Sequence, residues 1–336
     1  VLRIVVSAAL LGVLIWRIPD FKASELVPRW SASTGWWLAA AAVTLLVAFA
    51  LQTLRWNQVL HALGHRVRFR RLFGEFLAGQ FISNVLPAAV GGDIVRVSRL
   101  GRELDDSAAA FASVALERLT GWLVLPVISV ATIAATPGFH HLPHHATTVA
   151  LVVDAISLAG LVAILGVAAN RRWSHAARTA SGWRRWLGTV HLGSTAILSR
   201  PASVWGTLLA GTAFQVTQCL SIWMTAKALG VDRVSVGVAL AFFPPTAILQ
   251  NLPVGFGGLG VREVGFVLFF GAVGVAKTRA IAVGLVGYVI MVVTSAFGAP
   301  AFALGGWKRE LDEVDEALDE LEHEPAEPPA DVTDAP

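Results

Sequence analysis

Leu86-Pro87-Ala88-Ala89-Val90-Gly91-Gly92-Asp93-Ile94-Val95-Arg96 recurs as Leu252-Pro253-Val254-Gly255-Phe256-Gly257-Gly258-Leu259-Gly260-Val261-Arg262, with six of eleven positions identical at an offset of 166 residues. The shared pattern is L-P-x-x-x-G-G-x-x-V-R, and each copy lies in an apolar region. Pro and Gly interrupt helices. Helix-breaking residues at matching places in two hydrophobic halves point to a binding site built from discontinuous membrane helices.

The repeat extends beyond this stretch. At the same offset of 166, Gln52, Leu54, Ala62, Leu63 and Gly64 match Gln218, Leu220, Ala228, Leu229 and Gly230, while Phe76 matches Phe242 and Gly121 matches Gly287. Three separate blocks in one register argue against chance likeness between Leu/Ala/Gly-rich helices.

Composition places the chain in a bilayer. Hydrophobic residues make up 55% of it and charged residues 15%, with mean hydropathy +0.65. A soluble domain runs nearer about 25% charged. Cys219 is the one cysteine, which excludes an internal disulfide. Of the 26 basic residues only Lys22, Lys227, Lys277 and Lys308 are lysines. Arginine suits phosphate because its planar fork donates twice; codon bias is the plain alternative.

The chain begins at Val1, so its natural start is expected upstream. Residues 2–18 read as a retained first span, because no small-residue cleavage site follows the apolar run. Residues 35–56 read as the second, with Trp36 and Trp37 anchoring one interface and Arg55 and Trp56 closing the other. The basic loop Arg66, Arg68, Arg70 and Arg71 is expected in the cytoplasm, so this span runs inward. Residues 72–100, interrupted by Pro87 and Gly91-Gly92, read as a re-entrant hairpin. Spans are expected at 107–135, 149–169, 203–228 and 279–306, with a second interrupted hairpin over 236–275. The loop Thr136–Thr148 has no Lys or Arg and is placed outside; its four histidines read as an exposed polar loop rather than a metal site. Residues 170–200, rich in Arg and Trp, fit an amphipathic helix on the inner leaflet.

The expected fold is therefore an all-α integral membrane protein, with about six full spans and two re-entrant helical hairpins. Residues 1–307 form the membrane domain. Repeat A covers about 35–135 and repeat B about 203–306. Three full spans per unit, an odd number, require the second copy to be inverted. An acidic tail over 308–336, partly disordered, is expected in the cytoplasm.

Chemistry concentrates in the repeat. Each copy places an arginine five residues after the first glycine of a pair, Gly91-Gly92 and Gly257-Gly258, at the expected start of a half-helix. Helix N-termini attract anions, and an unpaired membrane arginine needs a carboxylate or an anionic ligand. One reading has Arg96 and Arg262 holding a phosphate headgroup, with the glycines letting backbone approach it. The other has Arg96 pairing with Glu117 and Arg262 with Glu263 as structural clamps. Asp93 is a third candidate carboxylate. Glu117-Arg118 is either an intramembrane pair or a mark of the cytosolic interface. Gln52 and Gln218 line the cavity or glue helices together. Asp154 reads as interfacial rather than as a proton relay. The G-x-G-x-x-G at Gly255–Gly260 has no preceding strand, and the near P-loop at Gly271–Thr278 carries Ala276 where Gly is required, so neither a dinucleotide site nor an ATPase follows. No catalytic triad is defensible, and no enzyme activity, cofactor, metal or nucleic-acid partner is expected.

Three pieces together are similar to one family: Leu86 to Arg96, Glu117-Arg118, and G-G-x-G-x-R-E from Gly257 to Glu263. They resemble the lysylphosphatidylglycerol synthase transmembrane-region family over roughly residues 1–307. The resemblance implies a multi-pass protein of the bacterial cytoplasmic membrane that translocates lipid, with its C-terminus inside. In bifunctional members an aminoacyl-transferase domain follows this region. Here only the acidic tail follows residue 307, so lipid synthesis is not expected. The expected function is a flippase for a phosphate-headgroup lipid: a phospholipid, an aminoacyl-phospholipid or a polyprenyl-phosphate-linked lipid. The alternatives are an ion-coupled carrier of a small anion and a non-catalytic partner of a lipid-synthesising enzyme or glycosyltransferase.

Overall fold

The structure is a computed structural model describing residues 30–85, 91–142, 144–168, 201–251 and 258–304. The 2–18 span, the 170–200 helix, the tail, Leu86–Val90 and Leu252–Gly257 lie outside the described residues. Every regular element among the described residues is helical: α1 Ala32–Ala62, α2 Phe69–Val85, α3 Gly91–Leu104, α4 Ser107–Ala135, α5 His144–Ala168, α6 Pro201–Ala228, α7 Val236–Gln250, α8 Val261–Ala272, α9 Lys277–Ser295 and α10 Ala299–Leu304. Short 3₁₀ turns at Pro137–His141 and Ala296–Gly298 join α4 to α5 and α9 to α10.

Local chemistry sets these limits. Ser31 caps α1 by accepting from the Thr34 N–H at 3.2 Å, and Asp106 caps α4 by accepting from the Ala109 N–H at 2.9 Å. Gly64 closes α1 at φ +94° and Gly230 closes α6 at φ +67°, a region that disfavours any Cβ. The following N–H groups make the same bond, His65 to the Leu60 carbonyl and Val231 to the Ala226 carbonyl, each at 2.9 Å. Both glycines and both bonds are related by the offset of 166.

The helices repeat in that register. Shifted by 166, α1 falls on α6, α2 on α7, α3 on α8, and α4 on α9 with its continuation. Helix contacts repeat too: α2 with α3 as α7 with α8, α3 with α4 as α8 with α9, α1 with α4 as α6 with α9. The units also exchange partners. Helix α4 packs on α7, and α9 with its 3₁₀ turn packs on α2. Gly298 sits so close to α2 that a Cβ there would lie 2.0 Å from the Leu77 carbonyl oxygen.

The most extensive interface joins α1 to α6, which are equivalent helices. They run antiparallel. Ser221 Oγ donates to the Ala41 carbonyl at 2.9 Å, whereas Gly211 faces Arg55 and Gly206 faces Gln58. Small residues such as Ala41, Ala48 and Ala210 bring the backbones together, the usual device where lipid removes the hydrophobic drive between helices. One core gathers α1 to α3 and the start of α4; the other is an aromatic cluster of Phe242, Phe243, Phe266, Phe269 and Phe270.

Four helices among the described residues are long and apolar enough to cross a membrane: Ala32–Ala62, Ser107–Ala135, His145–Gly166 and Lys277–Ala301. Helix α6 has the length, 28 residues, but carries Thr207, Gln215, Thr217, Gln218, Ser221 and Thr225. Helices α2, α3, α7 and α8 are only about 18–26 Å long, short of a hydrocarbon core of about 30 Å. Two expected spans are longer than their hydropathy suggests. Helix α1 runs six residues past 56, and α5 begins at His144 rather than 149. Trp36 is exposed, as an anchor should be, but Trp56 is fully buried and donates its indole N–H to Ser113 Oγ at 2.9 Å. Trp56 is therefore a packing residue and not an interfacial anchor.

A Cβ on Gly92 would sit 2.1 Å from both the Gly79 carbonyl oxygen and Ser83 Oγ, so α3 presses on α2 through this glycine. Overpacking costs about 1–3 kcal/mol, and here backbone must move. Gly92→Ala is expected to lower the thermal midpoint of the purified protein, while Gly160→Ala, with nothing within 4 Å, leaves it unchanged or raised. Detergent-solution unfolding followed by tryptophan fluorescence checks both.

Candidate functional site

Glu117 organises the interior. Its residue is 1% exposed, ten residues after the start of α4, and its neighbours are apolar helices. An ionised carboxylate there must be paired. Helix α1 supplies Gln52 and Arg55, three residues apart on one face, and both donate to Glu117 Oε1. Helix α3 supplies Arg96, whose Nη2 donates to Glu117 Oε2 at 3.2 Å. Arg96 Nη1 also reaches Asp93 Oδ1 at 3.3 Å, and Arg118 Nη2 meets Asp93 Oδ2 at 2.6 Å. The Arg96 guanidinium lies over the Trp56 ring at 4.1 Å.

In the second unit, Arg262 donates to Glu263 Oε1 through Nε at 3.0 Å and Nη2 at 2.5 Å, and lies over the Tyr288 ring at 4.8 Å. Glu263 Oε2 accepts the Gly260 N–H at 2.6 Å, the half of a capping box that a glycine N-cap allows at the start of α8. Gly284 makes room for this pair: a Cβ there would lie 3.1 Å from Glu263 Oε1.

These groups surround one cavity of about 230 Å³ between the two units. Its lining follows the repeat. Phe49, Gln52, Arg55, Arg96, Arg118, Gly121, Trp122 and Leu125 each face it, and so do their equivalents 166 residues on, from Gln215 to Met291. Four arginines, Arg55, Arg96, Arg118 and Arg262, line it against two carboxylates, Asp93 and Glu117. Glu263, behind Arg262, raises the acidic count to three and still leaves positive charge in excess. Arg55 Nε and Nη1 and Arg96 Nε are buried with no hydrogen-bond partner among the described residues. Each such donor costs about 1–3 kcal/mol unless a ligand or solvent satisfies it. An oxyanion answers both the charge and the donors. The volume is below the roughly 300–1,000 Å³ of sites that enclose a whole drug-sized ligand, and suits a group near the size of a phosphate.

Several sequence expectations change. Arg96 pairs with Glu117 and Arg262 with Glu263, yet both arginines also face the cavity. Glu117 and Arg118 are not paired with each other: Glu117 turns to Arg55 and Arg96, and Arg118, half-exposed, to Asp93. Gln52 and Gln218 both line the cavity, and Gln52 also bonds across helices. Gly91 and Gly92 lie inside α3, so Arg96 stands more than a turn from the helix start. Gly92 faces Gly79 and Gly258 (φ +74°) faces Gln250, so these two press on protein rather than on the cavity; Gly257 lies outside the described residues. The first turns of α3 and α8 already hold the carboxylates Asp93 and Glu263, which answer the dipole there. Arg55 was read as closing a span but is 2% exposed inside the cavity wall. Its signal was Glu117, a buried acid that needs more than one partner. Gly121 and Gly211 clear its path, with Cβ positions 3.1 and 3.2 Å from its side chain. A second ion pair also went unread: Arg99 Nη1 donates to Glu75 Oε2 at 3.2 Å and to the Ala301 carbonyl at 3.0 Å, tying α2 and α3 to α10.

Residues 1–298 match the protein family described as the lysylphosphatidylglycerol synthase TM region. The chain is also 26% identical over 269 residues to "Glycosyltransferase AglD" of Haloferax volcanii, across 70% of this chain and 43% of that protein. The chain therefore spans less than half of that relative. No solved structure matches.

Removing the Glu117 charge leaves two buried guanidinium groups without their shared partner, a loss of about 3–5 kcal/mol. Glu117→Gln is expected to lower the unfolding midpoint sharply. Adding Arg55→Met is expected to restore part of the loss, as a double-mutant cycle in thermal unfolding would show.

Proposed function

Because the chain belongs to the lysylphosphatidylglycerol synthase transmembrane-region family, we propose that it moves a phosphate-headgroup lipid between leaflets. The observation that carries this reading is the arginine-rich cavity lined by equivalent residues of both units. Arg55, Arg96 and Arg262 hold the phosphate, Gln52 and Gln218 flank it, and the acyl chains stay in the bilayer. Asp93 and Glu117 are available to a cationic headgroup substituent. The cavity binds and orients; no residue in it is assigned a catalytic role.

The repeat supplies the motion. Two equivalent helices that pack antiparallel are related by an axis across their length. If both cross the bilayer, that axis lies in the membrane plane and the repeat is inverted. The pairs α2–α3 and α7–α8, each too short to cross, are then re-entrant hairpins from opposite faces. With the 2–18 run as the first span and α6 as a polar-faced one, the full spans number six. Rocking of one unit against the other opens the cavity to each leaflet in turn. In this reading the C-terminus faces the cytoplasm of a bacterial inner membrane, on the side of the basic segments.

A second reading has one specific support, the relative named as a glycosyltransferase. In it the chain is a non-catalytic membrane partner of an enzyme that modifies lipid-linked groups. The two readings part over the cavity: a partner protein works without Arg96 and Arg262.

The test is reconstitution into liposomes carrying headgroup-labelled anionic phospholipid or polyprenyl phosphate, with an impermeant quencher outside. The wild type is expected to expose inner-leaflet label. Arg96→Ala/Arg262→Ala is expected to do so about 10- to 100-fold more slowly, since a charged hydrogen bond is worth about 1.5–3 kcal/mol. Equal rates for the two proteins would exclude the arginines as the translocation site.

A further inference from the structure

A buried carboxylate lies outside the cavity and takes no part in the site above. Asp154 is 1% exposed, and neither of its oxygens has a hydrogen-bond partner among the described residues. Because α5 begins at His144, Asp154 stands about 15 Å along the helix, near the middle of a core of about 30 Å. Helix α5 buries one stripe, Ala146, Ala150, Asp154, Ser157 and Leu161, while Ile156 and Val162 face outward. Ser157, one turn on, also has an unpartnered hydroxyl.

Among the described residues no charged group compensates Asp154. Helix α5 packs on α4, α7, α8 and the 3₁₀ turn Pro137–His141. Helix α7 has no charged residue. The charges of α4, Glu117 and Arg118, and those of α8, Arg262 and Glu263, are engaged at the cavity. On α5 itself the other titratable groups are His144 and His145, at its first turn, and the 3₁₀ turn carries His140 and His141. The polar neighbour of Asp154 is Ser129 of α4. That hydroxyl commits its proton elsewhere, to the Ala241 carbonyl at 2.8 Å. Ala241 needs it because Pro245, four residues on, has no N–H to give. A membrane-buried carboxylate without a partner must be neutralised, and ionisable groups so placed mark ion and proton paths.

We propose, resting on the transport reading above, that Asp154 is a proton-binding site that couples lipid movement to a proton gradient. The geometry favours a proton over a metal cation, because Ser129 and the Ala241 carbonyl are bonded to each other and too few free oxygens remain for a coordination shell. Water on one side supplies the proton, which forms the carboxylic acid and lets the stripe pack dry. Its release leaves a carboxylate, which requires a conformation where the stripe meets water. Helix α7 links the two sites. Its Ala241 side meets Ser129, and its Phe243, Ala247 and Gln250 line the lipid cavity.

Two readouts test this on the full chain in bilayers. Infrared difference spectra are taken across about pH 5–9, wide enough to bracket a perturbed carboxyl. A protonated-carboxyl band that titrates in the wild type and is lost in Asp154→Asn is expected. In liposomes with an imposed pH gradient, wild-type lipid movement is expected to respond to the gradient, and Asp154→Asn, which keeps the shape of the neutral acid, to lose that response. Absence of an Asp154-dependent band overturns the proton site. Wild-type lipid movement indifferent to the gradient overturns the coupling. A wild type that moves no lipid removes the transport reading and the coupling with it, while the infrared band still decides whether Asp154 holds a proton.

Discussion

Glu117 is the charge on which the interior depends. One carboxylate on α4 receives Gln52 and Arg55 from α1 and Arg96 from α3. Without it, two guanidinium groups would stand in an apolar interior at a cost of several kcal/mol each. With it, they are held in place with part of their donor capacity unspent. Trp56, Phe76 and Phe214 lie against the arginine faces, and Gly121 and Gly211 leave space for Arg55. The result is a wall with three arginines against two carboxylates and with buried donors left unpaired among the described residues.

The two units share a scaffold but not a charge pattern. The equivalent of Glu117 is Val283, that of Arg55 is Ser221 and that of Arg118 is Gly284. Only Arg96 and Arg262 carry the same charge in both. The second unit solves its arginine locally, through the adjacent Glu263, whereas the first uses a network across three helices. Symmetry of the fold therefore places two arginines on one cavity, and asymmetry of the side chains makes its first-unit wall the more highly charged.

Much of this was legible because the signals are local. Apolar runs, Pro-Gly punctuation and one constant offset were enough to locate α4 at 107–135 and the two short-helix pairs. Arg55 and Trp56 were misread because a basic and an aromatic residue at the end of an apolar run is the ordinary mark of an interface. The helix instead continues to Ala62, and packing against α4 and α6 buries both. Asp154 stands deeper in its helix than the sequence suggests for a related reason: the histidines and threonines before residue 149 look like loop, yet they open α5. The glycine pairs read as letting backbone approach a ligand, whereas Gly92 meets Gly79 and Gly258 meets Gln250. What presses against a glycine is set by another helix, and periodicity does not hold that information.

The central claim is that a phosphate headgroup enters the cavity between the units. An anionic phospholipid with a photoreactive headgroup, cross-linked in the bilayer and mapped by mass spectrometry, tests it most directly. The account predicts adducts on the equivalent cavity residues Trp122 and Tyr288, competed by unlabelled anionic lipid. Adducts confined to the outward faces, such as Ile156, Val162, Val289 and Val293, would contradict it.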